Sequence, residues 1–271
     1  MFFNKKIKKH QNKKGCLKRL VMGIAILVVL GIAAIISLRD TISVFGVKVS
    51  EFNNYMNWIS EDVNENQLAT NPIKPTDLAM VKEKSEQSGL SIFDTNGYVV
   101  IETPEIKINS NVTFFDYEVG ALINSAMNGS DGGEVFKLLE LTILEVDSNC
   151  FTLKSVVKFN LIQIKEAVGS YAKNLPDHIY VSSVGEVYVV GSRVQTKNNT
   201  IQINQLDKEK NDKIVGLLTE ISNASKESNN DVMEITNINN YIVTEVLTVL
   251  SQRTNTTPVL GNNTFSLELK S

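Results

Sequence analysis

Histidine and cysteine are nearly missing from this chain, with two of each in 271 residues, beside five prolines and one tryptophan. His10 sits in a basic N-terminal stretch, so His178 is the only imidazole beyond it. A Ser-His-Asp or Cys-His system needs a base that titrates near the operating pH, and His178 alone could supply an imidazole. It follows Pro176-Asp177 at the start of an expected strand, a turn position where a histidine reads as a bystander. One His and one Cys cannot assemble a structural zinc site, and no EF-hand loop is present. The glycines of NGSDGG (128–133) are followed by no phosphate-binding Lys in register and lead into a strand, so they do not read as a nucleotide loop. Acids are plentiful, but nothing singles out a working pair; Glu134, Glu140 and Glu145 read as the wet edge of a strand. The expectation is a protein that is not an enzyme, with no catalytic residue, no metal ligand and no cofactor.

Arginine is scarce too. Beyond residue 19 only Arg39, Arg193 and Arg253 occur. Residues 1–19 hold eight of the 27 basic residues and no acid, so the remainder carries 19 bases against 30 acids. A body that acidic is a poor partner for nucleic acid.

What the chain does have is a long apolar run, residues 21–38 (VMGIAILVVLGIAAIISL). As a helix it would measure about 27 Å, enough for a hydrocarbon core. Lys and Arg crowd its N-terminal side, and Asp40 follows on the other. The positive-inside rule then puts the tail in the cytoplasm and everything from residue 40 outside. The run exceeds a usual signal-peptide core and shows no small-x-small cleavage site before Ile42, Val44 and Phe45, so it reads as an uncleaved anchor. The expected location is the cell membrane, crossed once, with the bilayer itself as first partner. Cys16 and Cys150 fall on opposite sides of this span and cannot pair, so the outer body must be held by its own core.

The organisation read from the sequence is a basic tail (1–19), a transmembrane anchor (20–38), a juxtamembrane stalk and linker (39–88) and an extracytoplasmic domain (89–271). In the stalk, Phe52, Tyr55, Met56 and Ile59 fall at helical spacing with Trp58 to the side, a pattern that suits a membrane interface or packing on the domain. Residues 61–75, polar and ending in two prolines, read as a linker, and Gly89 ends a short helix over 78–87. Asn96-Gly97 signals a hairpin between 90–93 and 98–102. A short strand over 111–115 leads into a helix over 116–127 capped by Asp116, with Val119, Leu122, Ile123 and Met127 on one apolar face.

Residues 134–160 are the centre of the pattern. They read as strands 135–146 and 151–159 joined at Asp147-Ser148-Asn149. The second strand alternates cleanly, with Phe151, Leu153, Ser155, Val157 and Phe159 on one face and Thr152, Lys154, Val156 and Lys158 on the other. The first is apolar on both faces: Val135, Leu139, Leu141 and Ile143 against Phe136, Leu138, Leu144 and Val146. Such a strand must be covered twice or line something apolar. Later come a helix over 161–172, a long strand over 179–195 bent at Gly185 and Gly191, a turn at Lys197-Asn198-Asn199, helices over 207–222 and 232–250, and a final strand over 264–269. The fold class is α+β: an N-terminal transmembrane helix followed by a curved antiparallel sheet packed against helices.

From Asn111 to Phe159 the order is a short strand, Phe115-Asp116 opening a helix with Glu118 and GALIN, a turn, then a long hairpin ending in FTLKSVVKFNL. This resembles bacterial membrane-anchored proteins of the YpmS-like kind. It is also similar in outline to tubular lipid-binding (TULIP-like) modules, in which a curved antiparallel sheet wraps a long helix around an apolar groove. PDHIYV (176–181) and residues 201–206 fit the later strands of that layout. The resemblance implies a membrane-anchored extracytoplasmic binding module for lipid or another apolar ligand. The groove candidates are Val119, Leu122, Ile123, Leu139, Leu141 and Ile143; the plainer reading of each is core. The alternative is an envelope scaffold or protein-interaction domain with a protein partner and no small ligand.

Overall fold

The computed structural model describes residues 49–95, 97–100, 107–128, 136–147, 150–162, 165–166, 176–226 and 238–270. The basic tail, the apolar run 21–38 and most of the helix expected over 161–172 lie outside the described residues. Among those described, no helix is long and apolar enough to cross a membrane.

In chain order the elements are α1 (Val49–Ile59), α2 (Glu65–Leu68), α3 (Asp77–Ser88), β1 (Val112–Phe115), α4 (Asp116–Asn128), β2 (Phe136–Asp147), β3 (Cys150–Asn160), β4 (His178–Val190), β5 (Arg193–Ile203), α5 (Lys208–Lys226), α6 (Ile238–Arg253), β6 (Thr256–Gly261) and β7 (Thr264–Leu269). The class is α+β, with antiparallel sheets packed against helices. Among the described residues two sheets form, however, where one curved sheet was expected: a four-stranded meander β2-β3-β4-β5 and a three-stranded sheet β1-β7-β6.

The division of faces expected for β2 needs correction. Its pairing with β3 slips between Leu138 and Glu140, so that Leu138 lies opposite Val157 and Glu140 opposite Val156. That one-residue bulge moves alternation over by one. Phe136 and Leu138 join Leu141 and Ile143 on the inner face, and Leu139 goes to the outer one. Leu144 and Val146, nearer the hairpin end, are exposed. β3 follows its reading, with Phe151, Leu153 and Val157 in the main core.

Downstream, the long strand expected over 179–195 is two strands. Gly191, at φ +61°, supplies the left-handed backbone of a two-residue turn that pairs Val190 with Arg193. The turn expected at 197–199 is strand instead: Asn198 and Asn199 of β5 face the single Gly185 of β4 as a bulge. Among the described residues, the hairpin expected between 90–93 and 98–102 shows one bridge, Phe93 with Val99. β6 was not expected at all; it carries Pro258 on the free edge of its sheet, where a missing N–H costs no ladder bond.

Helices close both long edges of the meander with polar side chains. On α4, the Asn124 amide accepts from Leu138 N–H at 2.7 Å and donates to Leu138 C=O at 2.8 Å, as a neighbouring strand would. Farther along that edge, Ile73 N–H donates to Leu139 C=O at 2.8 Å and Asn263 N–H to Ile143 C=O at 2.6 Å. On the β5 edge, Asn211 accepts from Ile203 N–H at 2.8 Å and donates to Ile201 C=O at 2.9 Å. Thr248 of α6 does the same for Val194, at 3.0 and 3.3 Å. Buried backbone groups are thereby satisfied without further strands.

α6 lies across the inner face of the meander, adding Ile242, Val243, Val246, Leu247 and Leu250 to the main core. Val112 and Phe114 of β1, and Phe265 and Leu267 of β7, close the same core from the other sheet. α4 starts as expected at Asp116, whose carboxylate accepts Tyr117 N–H at 2.8 Å, and Glu118 reaches back to accept Phe115 N–H at 2.7 Å. This is one half of a capping box.

Candidate functional site

The six expected groove residues are all buried, and the structure does not bring all of them together. Val119, Leu122 and Ile123 of α4 meet Leu141 and Ile143 of β2 inside the main core, each 0–1 % exposed. Their partners there are other side chains, among them Leu138, Leu153 and Phe265. Leu139 stands apart on the outer face with Val156 and Tyr180, covered by Val63, Leu68 and Ala69. The doubly apolar strand is thus covered twice along part of its length, by protein on each side.

Beneath the first turn of α6 the inner face carries a polar patch. The hydroxyls of Ser155 and Ser183 lie 2.9 Å apart, and each donates to the Asn240 side-chain carbonyl, at 3.2 and 3.0 Å. Asn240 in turn donates to Asn199, which also accepts from the Thr196 hydroxyl at 3.1 Å. The neighbouring Asn239 donates to Val181 C=O at 2.7 Å. Asn239 Oδ1 is buried without a hydrogen-bond partner, whereas the network of Ser155, Ser183, Asn199 and Asn240 bonds specifies where α6 sits on the sheet. Chemically it offers hydroxyls and amides, with no base or acid among them.

The outer face is divided. Toward one end, residues 56–73 lie over it. The stretch expected as a linker is pinned down there rather than free: Glu140, expected at a wet strand edge, is buried and accepts from Thr70 N–H at 2.6 Å and the Thr70 hydroxyl at 2.9 Å. Lys154 Nζ and the Thr142 hydroxyl both donate to the same carboxylate, at 3.1 and 3.3 Å. Burial alone would push this carboxyl upward, but the Thr70 and Lys154 donors outweigh it and hold Glu140 below its ordinary value. Glu65 accepts from Lys158 at 2.6 Å and from the Tyr180 hydroxyl at 2.9 Å, and the Lys158 bond holds it low as well. Trp58 packs under α5, with Lys210 and Lys213 5.9 and 5.8 Å from the ring centre and the Tyr55 ring at 5.3 Å.

Toward the hairpin end the outer face is open. Leu144, Val184 and Val190 are exposed there, beside the ion pair of Lys197 with Glu186. Val184 lies between Lys154 of β3 and Thr200 of β5.

His178 opens β4 half-buried, and its Nδ1 is buried with no hydrogen-bond partner. Cys150 opens β3, also half-buried. Among the described residues no three His, Cys, Asp or Glu side chains converge as a metal site would require. Sequence reasoning missed Glu140, Asn124, Asn211 and Asn240. Polar residues on otherwise apolar helix faces, as Asn240, Thr244 and Thr248 are among the Ile and Val of α6, were the available signal.

No protein-family model matches the chain, and neither a curated protein nor a solved structure matches it.

Proposed function

We propose that this chain is a membrane-anchored, extracytoplasmic interaction module that engages a protein partner through the open outer face of its four-stranded sheet. One observation carries the choice: among the exposed apolar side chains, Leu144, Val184 and Val190 share that face, while the six groove candidates are closed into packed core. A mixed face of exposed Val and Leu among Thr, Lys and Glu suits a modest protein contact better than an acyl chain. The basic 1–19 stretch and the apolar run 21–38 support the anchored topology. No catalytic role is proposed.

The test is photo-crosslinking in cells from a reactive residue placed at Val184 or Leu144, with Glu268 on the other sheet as control. The same stoichiometric protein adduct from both outer-face positions, and none from Glu268, is expected. Lipid adducts, or no adduct at either position, sink the reading. Native mass spectrometry of the full chain in micelles gives the counterpart: a retained stoichiometric lipid would return the function to lipid binding.

A further inference from the structure

The cover over the outer face is built unlike the rest of the body. Residues 56–70 add no strand to the sheet and are held by side chains. Ile59 C=O accepts from Asn204 at 2.9 Å, Glu65 takes Lys158 and Tyr180, and Thr70 is gripped by Glu140. The cover's apolar contacts beyond the buried Met56 and Ile59 at the upstream end are to a satellite of three buried residues, Leu139, Val156 and Tyr180, separate from the main core. Such a segment belongs to the low-stability end of a structure, able to open while the remainder stays folded. It also runs directly into residues 1–55, which include the apolar run.

We propose that residues 56–70 are a strap that lifts as a unit when Glu140 and Glu65 lose their charge, uncovering Leu139, Val156 and Tyr180 beside the open face. The proposal rests on the interaction reading, since lifting would extend the same surface by three apolar side chains. The groups facing Glu140 are Thr70 on the strap, Thr142 on β2, Lys154 on β3 and the like-charged Asp116 on α4. Those facing Glu65 are Lys158 on β3, Tyr180 on β4 and Lys137 on β2. At the upstream end Glu61 pairs with Lys210, which also meets Asp207, and Lys213 pairs with Glu209. Both latch carboxyls are held below the ordinary glutamate value of 4.5. Their contribution is complete above that value and is lost as pH falls through the lowered ones. Acid is therefore the experimental handle, and Glu140→Gln imitates it at neutral pH.

Trp58, the only tryptophan, reports on the strap. The experiment follows Trp58 emission and far-UV circular dichroism of the full chain in micelles from pH 8 to pH 3, with amide exchange at Thr70 and Ile73. The expected result is a Trp58 transition that precedes loss of sheet. In Glu140→Gln the acid-form emission should appear at neutral pH with unchanged dichroism, and Thr70 and Ile73 amides should exchange at least about tenfold faster. Should that variant fail to fold, Thr70→Val removes the hydroxyl bond alone and should speed exchange at Ile73 several-fold. Coincident Trp58 and sheet transitions, or unchanged Thr70 and Ile73 exchange in the variant that folds, overturn the strap. Crosslinking from Val184 is independent of that result, so the two failures are told apart.

Discussion

Asn124 stands to Leu138 as a strand residue would, accepting from its N–H at 2.7 Å and donating to its C=O at 2.8 Å. Replacing it with Ala leaves two backbone groups at the sheet edge unpaired. The cost should be about 1–3 kcal/mol, read as a lower denaturant midpoint at unchanged slope. Asn124→Asp, which keeps the acceptor and loses the donor, should fall between. An Ala variant as stable as the parent would show that water replaces the amide freely.

Gly185 faces a bulge, and a Cβ there would collide with the side-chain amides of Asn199 and Asn240. Gly185→Ala should therefore disturb the network that seats α6 and cost about 1–3 kcal/mol, the usual range for overpacking. Thermal unfolding checks this, and an unchanged midpoint would mean that the network yields at no cost.

Leu141 and Leu144 sit three residues apart on one strand, and one is core while the other is 44 % exposed. Leu141→Ala should lose about 2–5 kcal/mol, whereas Leu144→Ala should stay within about 0.5 kcal/mol. Similar losses at both positions would mean that the outer face near Leu144 is covered in solution.

Asp116 behaves oppositely to the two latch glutamates. Burial, helped by the charge of Glu140, raises its carboxyl above the ordinary 3.8. Its contribution is thus present below 3.8 and lost as pH rises through the raised folded value. Asp116→Asn should be the more stable form at neutral pH, with the difference shrinking in acid. Denaturation at pH 7 and pH 3 tests the sign; a variant weaker than the parent at pH 7 would refute it.

Local pattern was enough for much of the fold. The alternation of Phe151, Leu153 and Val157 with Thr152, Lys154 and Lys158 placed β3 and its faces, and Gly89, at φ +74°, ends α3 where expected. The faces of β2 were not legible, because the bulge at 138–140 carries no Gly or Pro and is set by what packs on each side. Gly191-Ser192 did carry a hairpin signal, but Gly185 nearby invited one bent strand. β6 was concealed by Pro258. Glu140 was the larger miss: its partner Thr70 is 70 residues away, and a carboxylate in a strand gives no local sign of being buried. The six groove candidates were legible as apolar, and whether they face a ligand or each other depends on packing that periodicity does not contain.

The three-stranded sheet has its last-made strand in the middle. β7 pairs with β1 on one side, Phe265 opposite Phe114, and with β6 on the other. A ribosome has therefore made both β1 and β6 before either neighbour can find its ladder. Until Phe265 and Leu267 emerge, Phe114 and the inner side of α4 lack part of their cover, so a chain that stops before β7 is one a quality-control protease should recognise.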